Sequence, residues 1–195
     1  AGEDFWRELA ARATAITWGV KHDLSLARLN SHPPVADCLY TETITPPCAL
    51  WIAGSGHIAQ AVAPLALQLD FAVTVFDDRP ELANHHFFPR EAALRLGPWG
   101  ELCAAPLPAG PTFGLIVTRG HQHDALVLET WIHRPFAFLG MIGSTRKART
   151  ITEHFLSRKL ATPEEIARVA CPVGLRIRSR SVMERRQRQR GHRRA

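Results

Sequence analysis

Leu50-Trp51-Ile52-Ala53-Gly54-Ser55-Gly56-His57-Ile58-Ala59, followed by Ala72-Val73-Thr74-Val75-Phe76-Asp77-Asp78-Arg79, sets an apolar run, a glycine turn, a helical stretch, a second apolar run and an acid in succession. Gly54 permits a tight turn and Gly56 lets the backbone approach a phosphate. The small Ala59 stands where the third glycine of a dinucleotide fingerprint allows a helix to pack closely on a strand. The carboxylate of Asp77, or of Asp78 after it, is placed to hydrogen-bond a ribose. The plainer reading keeps the glycines for chain reversal alone.

Working outward, the chain alternates strands and helices in the manner of a parallel sheet covered by helices. Strands are expected at 49–53, 72–76, 113–117 and 136–139, and helices at 57–69, 122–132 and 145–159. Pro64 falls inside the first of these helices, where it removes a donor and should kink it. The Pro- and Gly-rich stretch 80–112 shows only a short helical piece near 91–96. Thr162-Pro163-Glu164-Glu165 opens a further helix, with Thr162 as N-cap and Glu165 able to close a capping box. Before the glycine turn, a surface helix is expected at 4–13 and strands at 15–20 and 38–44. Thr45-Pro46-Pro47 then breaks the chain, because two prolines continue neither a paired strand nor a helix.

The fold class is therefore α/β: a Rossmann-like, doubly wound, mostly parallel sheet over 48–175, preceded by a small partial N-terminal segment at 1–47 and followed by a basic tail at 176–195. Of the 195 residues 46% are hydrophobic, enough for a sizeable core. The net charge of +6 is misleading as a whole-chain figure, since the tail alone holds nine arginines against Glu184. The remaining residues are slightly acidic. The tail is read as a solvated, disordered extension rather than a nucleic-acid surface, because no stacking aromatics accompany its arginines. Cys38, Cys48, Cys103 and Cys171 form no C-x-x-C pair, so neither a zinc site nor a disulfide framework is indicated. No secretory signal is visible, and Gln60, Pro64, Gln68 and Asp70 interrupt the longest apolar region, 58–76. A cytoplasmic protein is expected.

Ligands of doubly wound sheets sit where loops converge at the carboxyl ends of the strands. Three loops qualify. Gly54-Ser55-Gly56-His57 offers a helix start with free N–H groups to an anion. Thr118-Arg119-Gly120-His121-Gln122-His123-Asp124 gathers a guanidinium, two imidazoles and a carboxylate after a buried strand. A metal set of His121, His123 and Asp124 is weighed and set aside, because histidines two apart on a helix point to different sides. Gly140-Met141-Ile142-Gly143-Ser144-Thr145-Arg146-Lys147 places two cations in a first helical turn, against the helix dipole. Either an anionic ligand removes that conflict or Arg146 and Lys147 point to solvent. His85 and His86 are read as loop residues without a role.

Together with Asp77-Asp78-Arg79-Pro80-Glu81 and Pro172-Val173-Gly174-Leu175, these loops resemble, in order and spacing, the XdhC/CoxI family over about residues 48–175. The resemblance implies a Rossmann-like domain in an accessory protein that binds molybdenum cofactor, helps it acquire its terminal sulfur and delivers it to a molybdenum hydroxylase such as xanthine dehydrogenase. It implies a carrier rather than a catalyst, with the apoenzyme and a sulfurtransferase as partners; homodimerisation stays open. The candidate cofactor-binding residues are Gly54, Ser55, Gly56, His57, Asp77, Arg79, Thr118, Arg119, His121, Gly143, Ser144, Arg146 and Lys147. The chain departs from the family pattern at both ends: residues 1–48 contain only Gly2 and Gly19 and lack the family's Gly-rich segment, and arginines replace its closing helix. The alternative from another class is an NAD(P)-dependent oxidoreductase using the same turn. There Asp77 would hold the adenosine ribose, Arg79 a 2′-phosphate, and His121 would donate a proton.

Overall fold

The computed structural model describes residues 46–174, together with the backbone course of three earlier strands, β1 (Ile16–Lys21), β2 (Leu26–Leu29) and β3 (Cys38–Ile44). The helix expected at 4–13 and the arginine-rich tail lie outside the described residues. β1 is the middle strand of an antiparallel sheet, pairing Thr17 with Leu29 of β2 and Ile16 with Ile44 of β3. The strands expected at 15–20 and 38–44 are both present. β2 was not expected, because its four residues lie in a polar stretch too short to show a period of two.

A six-stranded, wholly parallel sheet carries the rest: β4 (Ala49–Ala53), β5 (Ala72–Asp77), β6 (Ala93–Leu96), β7 (Thr112–Ile116), β8 (Phe138–Met141) and β9 (Val169–Ala170). Their order is β6-β5-β4-β7-β8-β9. Counted from β4 this is 3-2-1-4-5-6, the order of a Rossmann sheet, with its switch point between β4 and β7. The helices are α1 (His57–Gln68), α2 (Trp99–Ala104), α3 (His121–Trp131), α4 (Thr145–Ser157) and α5 (Pro163–Ala167).

Strand alternation divides the core into two layers. Trp51 and Ala53 of β4 face one layer, with Phe76, Trp99, Leu102, Val127, Leu128, Trp131, Phe136, Ile151 and Phe155. Ile52 faces the other, against the buried Ala59, Ala63 and Ala66 of α1. Those small side chains, spaced by four and three, let α1 lie close on the sheet. Ring centroids of Trp51 and Phe76 are 4.9 Å apart, and those of Trp131 and Phe136 5.0 Å. The Arg134 guanidinium sits 5.3 Å above the Trp51 ring and donates to Cys103 O at 2.7 Å, closing that layer beside α2.

Two expectations in the Pro- and Gly-rich stretch are corrected. The segment near 91–96 is a strand, not a helical piece: Ala93 to Leu96 pair in parallel with Thr74 to Asp77. The backbone partners offered by β5 outweigh a weak local preference. A short helix, α2, follows it on the Pro98 N-cap. β8 begins two residues later than expected and takes in Gly140 and Met141, expected in the loop after it. α1 runs through Pro64 as one helix, and nothing in its surroundings accounts for what offsets the lost donor. The capping box of Thr162 and Glu165 is present.

Burial pushes the Cys103 thiol up to about 11, against a smaller opposing pull from Arg134. Only the thiolate is an effective nucleophile. Native protein at pH 8 should therefore leave Cys103 unlabelled by a thiol reagent until denaturant is added, while half-buried Cys48 reacts. Peptide mass spectrometry checks this, and equal labelling of the two would contradict it.

Candidate functional site

The carboxyl ends of β4, β5, β7 and β8 present all of the loops singled out in the sequence. Gly54 adopts φ +114°, and a Cβ there would lie 2.5 Å from Val117 O. The turn is thus wedged between the ends of β5 and β7, held by Gly54 N donating to Phe76 O at 2.8 Å. Gly56 is the N-cap of α1 and Gly120 that of α3, so neither helix start has a side-chain cap. α4 differs, because Ser144 Oγ accepts from Lys147 N at 3.2 Å. His57, the first residue of α1, is exposed.

Asp77 is not the free ribose acceptor that the sequence suggested. It is fully buried, and its Oδ2 accepts from Ser55 N at 2.7 Å and Ser55 Oγ at 2.8 Å. Arg79 closes on it with Nε 2.9 Å from Oδ1 and an outer nitrogen 2.9 Å from Oδ2. Burial alone would raise this carboxyl. The hydrogen bonds from Arg79 and Ser55 outweigh it and hold the group well below the usual carboxylate range. Asp77 is therefore a pillar under the turn. The next acid, Asp78, pairs instead with Arg119 at 2.9 Å.

A second network ties β7 to β8. Asp124, 1% exposed, accepts from Thr118 Oγ1 at 2.7 Å and forms an ion pair with Lys147 Nζ. Lys147 Nζ also donates to Ile142 O at 3.0 Å. The conflict between Lys147 and the α4 dipole is thus relieved by a carboxylate of this chain, while Arg146 is exposed. Gly143 lies against the Lys147 stem and near Cys171 Sγ, a thiol that burial pushes up.

The candidate residues consequently fall into two places. Gly54, Ser55, Gly56, His57, Asp77, Arg79 and Arg119 gather around the end of β4. His121, Ser144, Arg146 and Lys147 line a groove of about 650 Å³ between α3 and α4, floored by Ala125, Leu126 and Ile151. Thr118 joins the two through Asp124. His123 turns away to Trp99, with ring centroids 6.0 Å apart, as two-residue spacing on a helix requires. Among the described residues no group of three or more His, Cys, Asp or Glu stands close enough to hold a metal ion. The groove residues Leu126, Thr150, Ile151 and His154 were not singled out as site residues, and for Asp78 and Asp124 the sequence suggested a ribose or a metal rather than the cations they pair with. Their partners lie tens of positions away, beyond the reach of local spacing.

No helix among the described residues is long and apolar enough to cross a membrane. Comparison with known proteins agrees with the geometry. A crystal structure described as a xanthine dehydrogenase from Bacillus halodurans superposes with a TM-score of 0.68 at 20% identity, covering 96% of this chain and 65% of that one. At that identity the likeness speaks to fold alone. The uncharacterized protein YqeB of Escherichia coli (strain K12) is 32% identical over 136 residues, which are 69% of this chain and 25% of YqeB. This chain thus spans about a quarter of that relative's length. The family profile of the XdhC Rossmann domain matches residues 50–184, more than half of the chain, so the chain belongs to the XdhC Rossmann-domain family.

Proposed function

We propose that this chain binds molybdenum cofactor at the carboxyl end of its parallel sheet and acts as an accessory protein that delivers it to a molybdenum hydroxylase such as xanthine dehydrogenase. One observation carries the reading. Gly56 has φ −70° and ψ −179°, a conformation open to any residue, and a Cβ there would meet nothing within 4 Å. Neither backbone nor packing demands a glycine there, whereas close approach of a ligand to the N–H groups of α1 would, which supports the reading. The phosphate of a pterin cofactor suits those donors, with the exposed His57 at the helix start as a further contact and the Arg119 guanidinium adding positive charge across the end of β4. The molybdenum centre supplies its redox chemistry in the recipient enzyme. Membership of the XdhC family supports the accessory role.

The oxidoreductase alternative is disfavoured by Asp77, whose oxygens are already occupied by Ser55 and Arg79. A buried carboxylate in that state has little to offer a ribose.

Protein purified without oxygen from cells that make molybdenum cofactor should release near-stoichiometric pterin, read by the fluorescence of its oxidised form, and no nicotinamide nucleotide. Nicotinamide without pterin would reverse the ranking. Gly56→Val should leave the thermal midpoint within a few degrees of wild type and lower pterin retention at least tenfold. Unchanged retention would remove the phosphate from this turn.

A further inference from the structure

We infer that Asp78 holds Arg119 in reserve as a latch across the mouth of the glycine turn, and that a phosphate-bearing ligand is captured when Arg119 exchanges Asp78 for the phosphate. This inference rests on the reading that the turn takes a phosphate group.

The topology forces the crossing. β5 and β7 are the two neighbours of β4, and Asp78 follows directly on β5 while Arg119 lies three residues beyond β7. Their ion pair of 2.9 Å therefore spans two strand spacings, about 10 Å, over the end of β4. The turn 54–57 lies at that end, with open space above Gly56.

The exchange is also inexpensive. The Arg119 and Asp78 side chains are 45% and 26% exposed, and ion pairs this exposed are weak. A phosphate at a helix start offers the same guanidinium two or three oxygens and a second charge, in the forked geometry that arginine favours. Asp78 is not stranded when Arg119 leaves. Its buried Oδ1 accepts no hydrogen bond among the described residues and lies 3.9 Å from Arg79 Nε, so a cation remains beside it. Arg79 itself stays fixed on Asp77 and cannot make the same move without dismantling the turn. Of these two arginines it is Arg119 that is free to change partner.

The test uses the whole chain and inorganic pyrophosphate, titrated by calorimetry at low ionic strength. Asp78→Asn should tighten binding about fivefold by releasing Arg119. Arg119→Ala should weaken it about tenfold, and adding Asp78→Asn to Arg119→Ala should restore less than twofold. Thermal midpoints close to wild type confirm that each variant folds. Three results would each overturn the latch: no gain in Asp78→Asn, an equal gain with Arg119 absent, which would mean that Asp78 acts through its own charge, or no pyrophosphate binding by any form. Pyrophosphate contains no pterin, so the expected pattern in a protein that retains no pterin keeps the latch and discards the molybdenum cofactor. Retained pterin without the pattern discards the latch alone.

Discussion

Asp77→Ala should lower the unfolding free energy by about 3 kcal/mol at pH 7, read from guanidinium titration, and should abolish ligand retention as well. Breaking a buried pair by removing one partner is more costly than the net worth of the pair, because the groups left behind keep their desolvation penalty. Here the abandoned groups are Ser55 N, Ser55 Oγ and the Arg79 guanidinium. Arg79 is 20% exposed and can turn outward, which keeps the figure at the lower end of the usual 3–5 kcal/mol for such losses. The effect has a pH signature. The folded-state value of Asp77 lies below its unfolded value of about 3.9, so the folded protein binds this proton less readily than the unfolded chain. The stability it contributes is complete above about pH 4 and is lost as pH falls further through the folded value. The difference between wild type and Asp77→Ala should accordingly be flat from pH 5 to 8 and shrink below pH 4. A difference that grew on acidification would contradict the pairing.

Gly54→Ala should be at least as damaging, with a loss of about 3 kcal/mol or more, although it adds a single methyl group. Two penalties coincide. An L residue at φ +114° costs on the order of 1–3 kcal/mol. The Cβ would also stand 2.5 Å from Val117 O, 2.8 Å from Val117 C and 3.0 Å from Thr118 Cα, all backbone atoms. Relief would require β7 to move from β4, yet Val117 N donates to Ala53 O at 2.8 Å and Gly54 N to Phe76 O. Overpacking against the 117–118 backbone has no flexible neighbour to yield. Comparison with Gly56→Val separates the two glycines of one turn: loss of fold at 54, loss of ligand at 56. Thermal melts of both variants, side by side, check the pair, and equal midpoints would refute it.

Most of the parallel architecture was legible because its signals are local. The apolar run 49–53, the Gly54-x-Gly56 turn and the capping box at Thr162 each declare themselves within a few residues. β6 was misread and β2 and β9 missed because none is longer than four residues, and their state is decided by a neighbouring strand rather than by their own periodicity. The candidate loops were found for the same local reasons, but the partners within them were not. Asp77 looked like a ligand carboxylate because its position relative to the glycines is that of a ribose-binding acid. Whether such an acid is free depends on Arg79 and Ser55, whose approach is a matter of tertiary geometry. Lys147 likewise looked like a cation in need of an anion, and Asp124, 23 positions earlier, is that anion.

The place of β4 between β5 and β7 also bears on how the site comes into being as the chain folds. Ala49 pairs with Ala72, 23 positions on, and with Thr112, 63 positions on. Loop-closure entropy rises with the logarithm of that separation, so the second closure is dearer by about 0.9 kcal/mol when each is made from the open chain. Once β5 has docked, with α1 folded between, the ends of β4 are already ordered and part of that difference disappears. The glycine turn with its Asp77 pillar therefore belongs to the local, early-closing half of the sheet. Thr118, Arg119 and the α3–α4 groove belong to the half that must wait for a distant strand, and slowing the arrival of β7 would leave a formed turn with nothing yet to close over it.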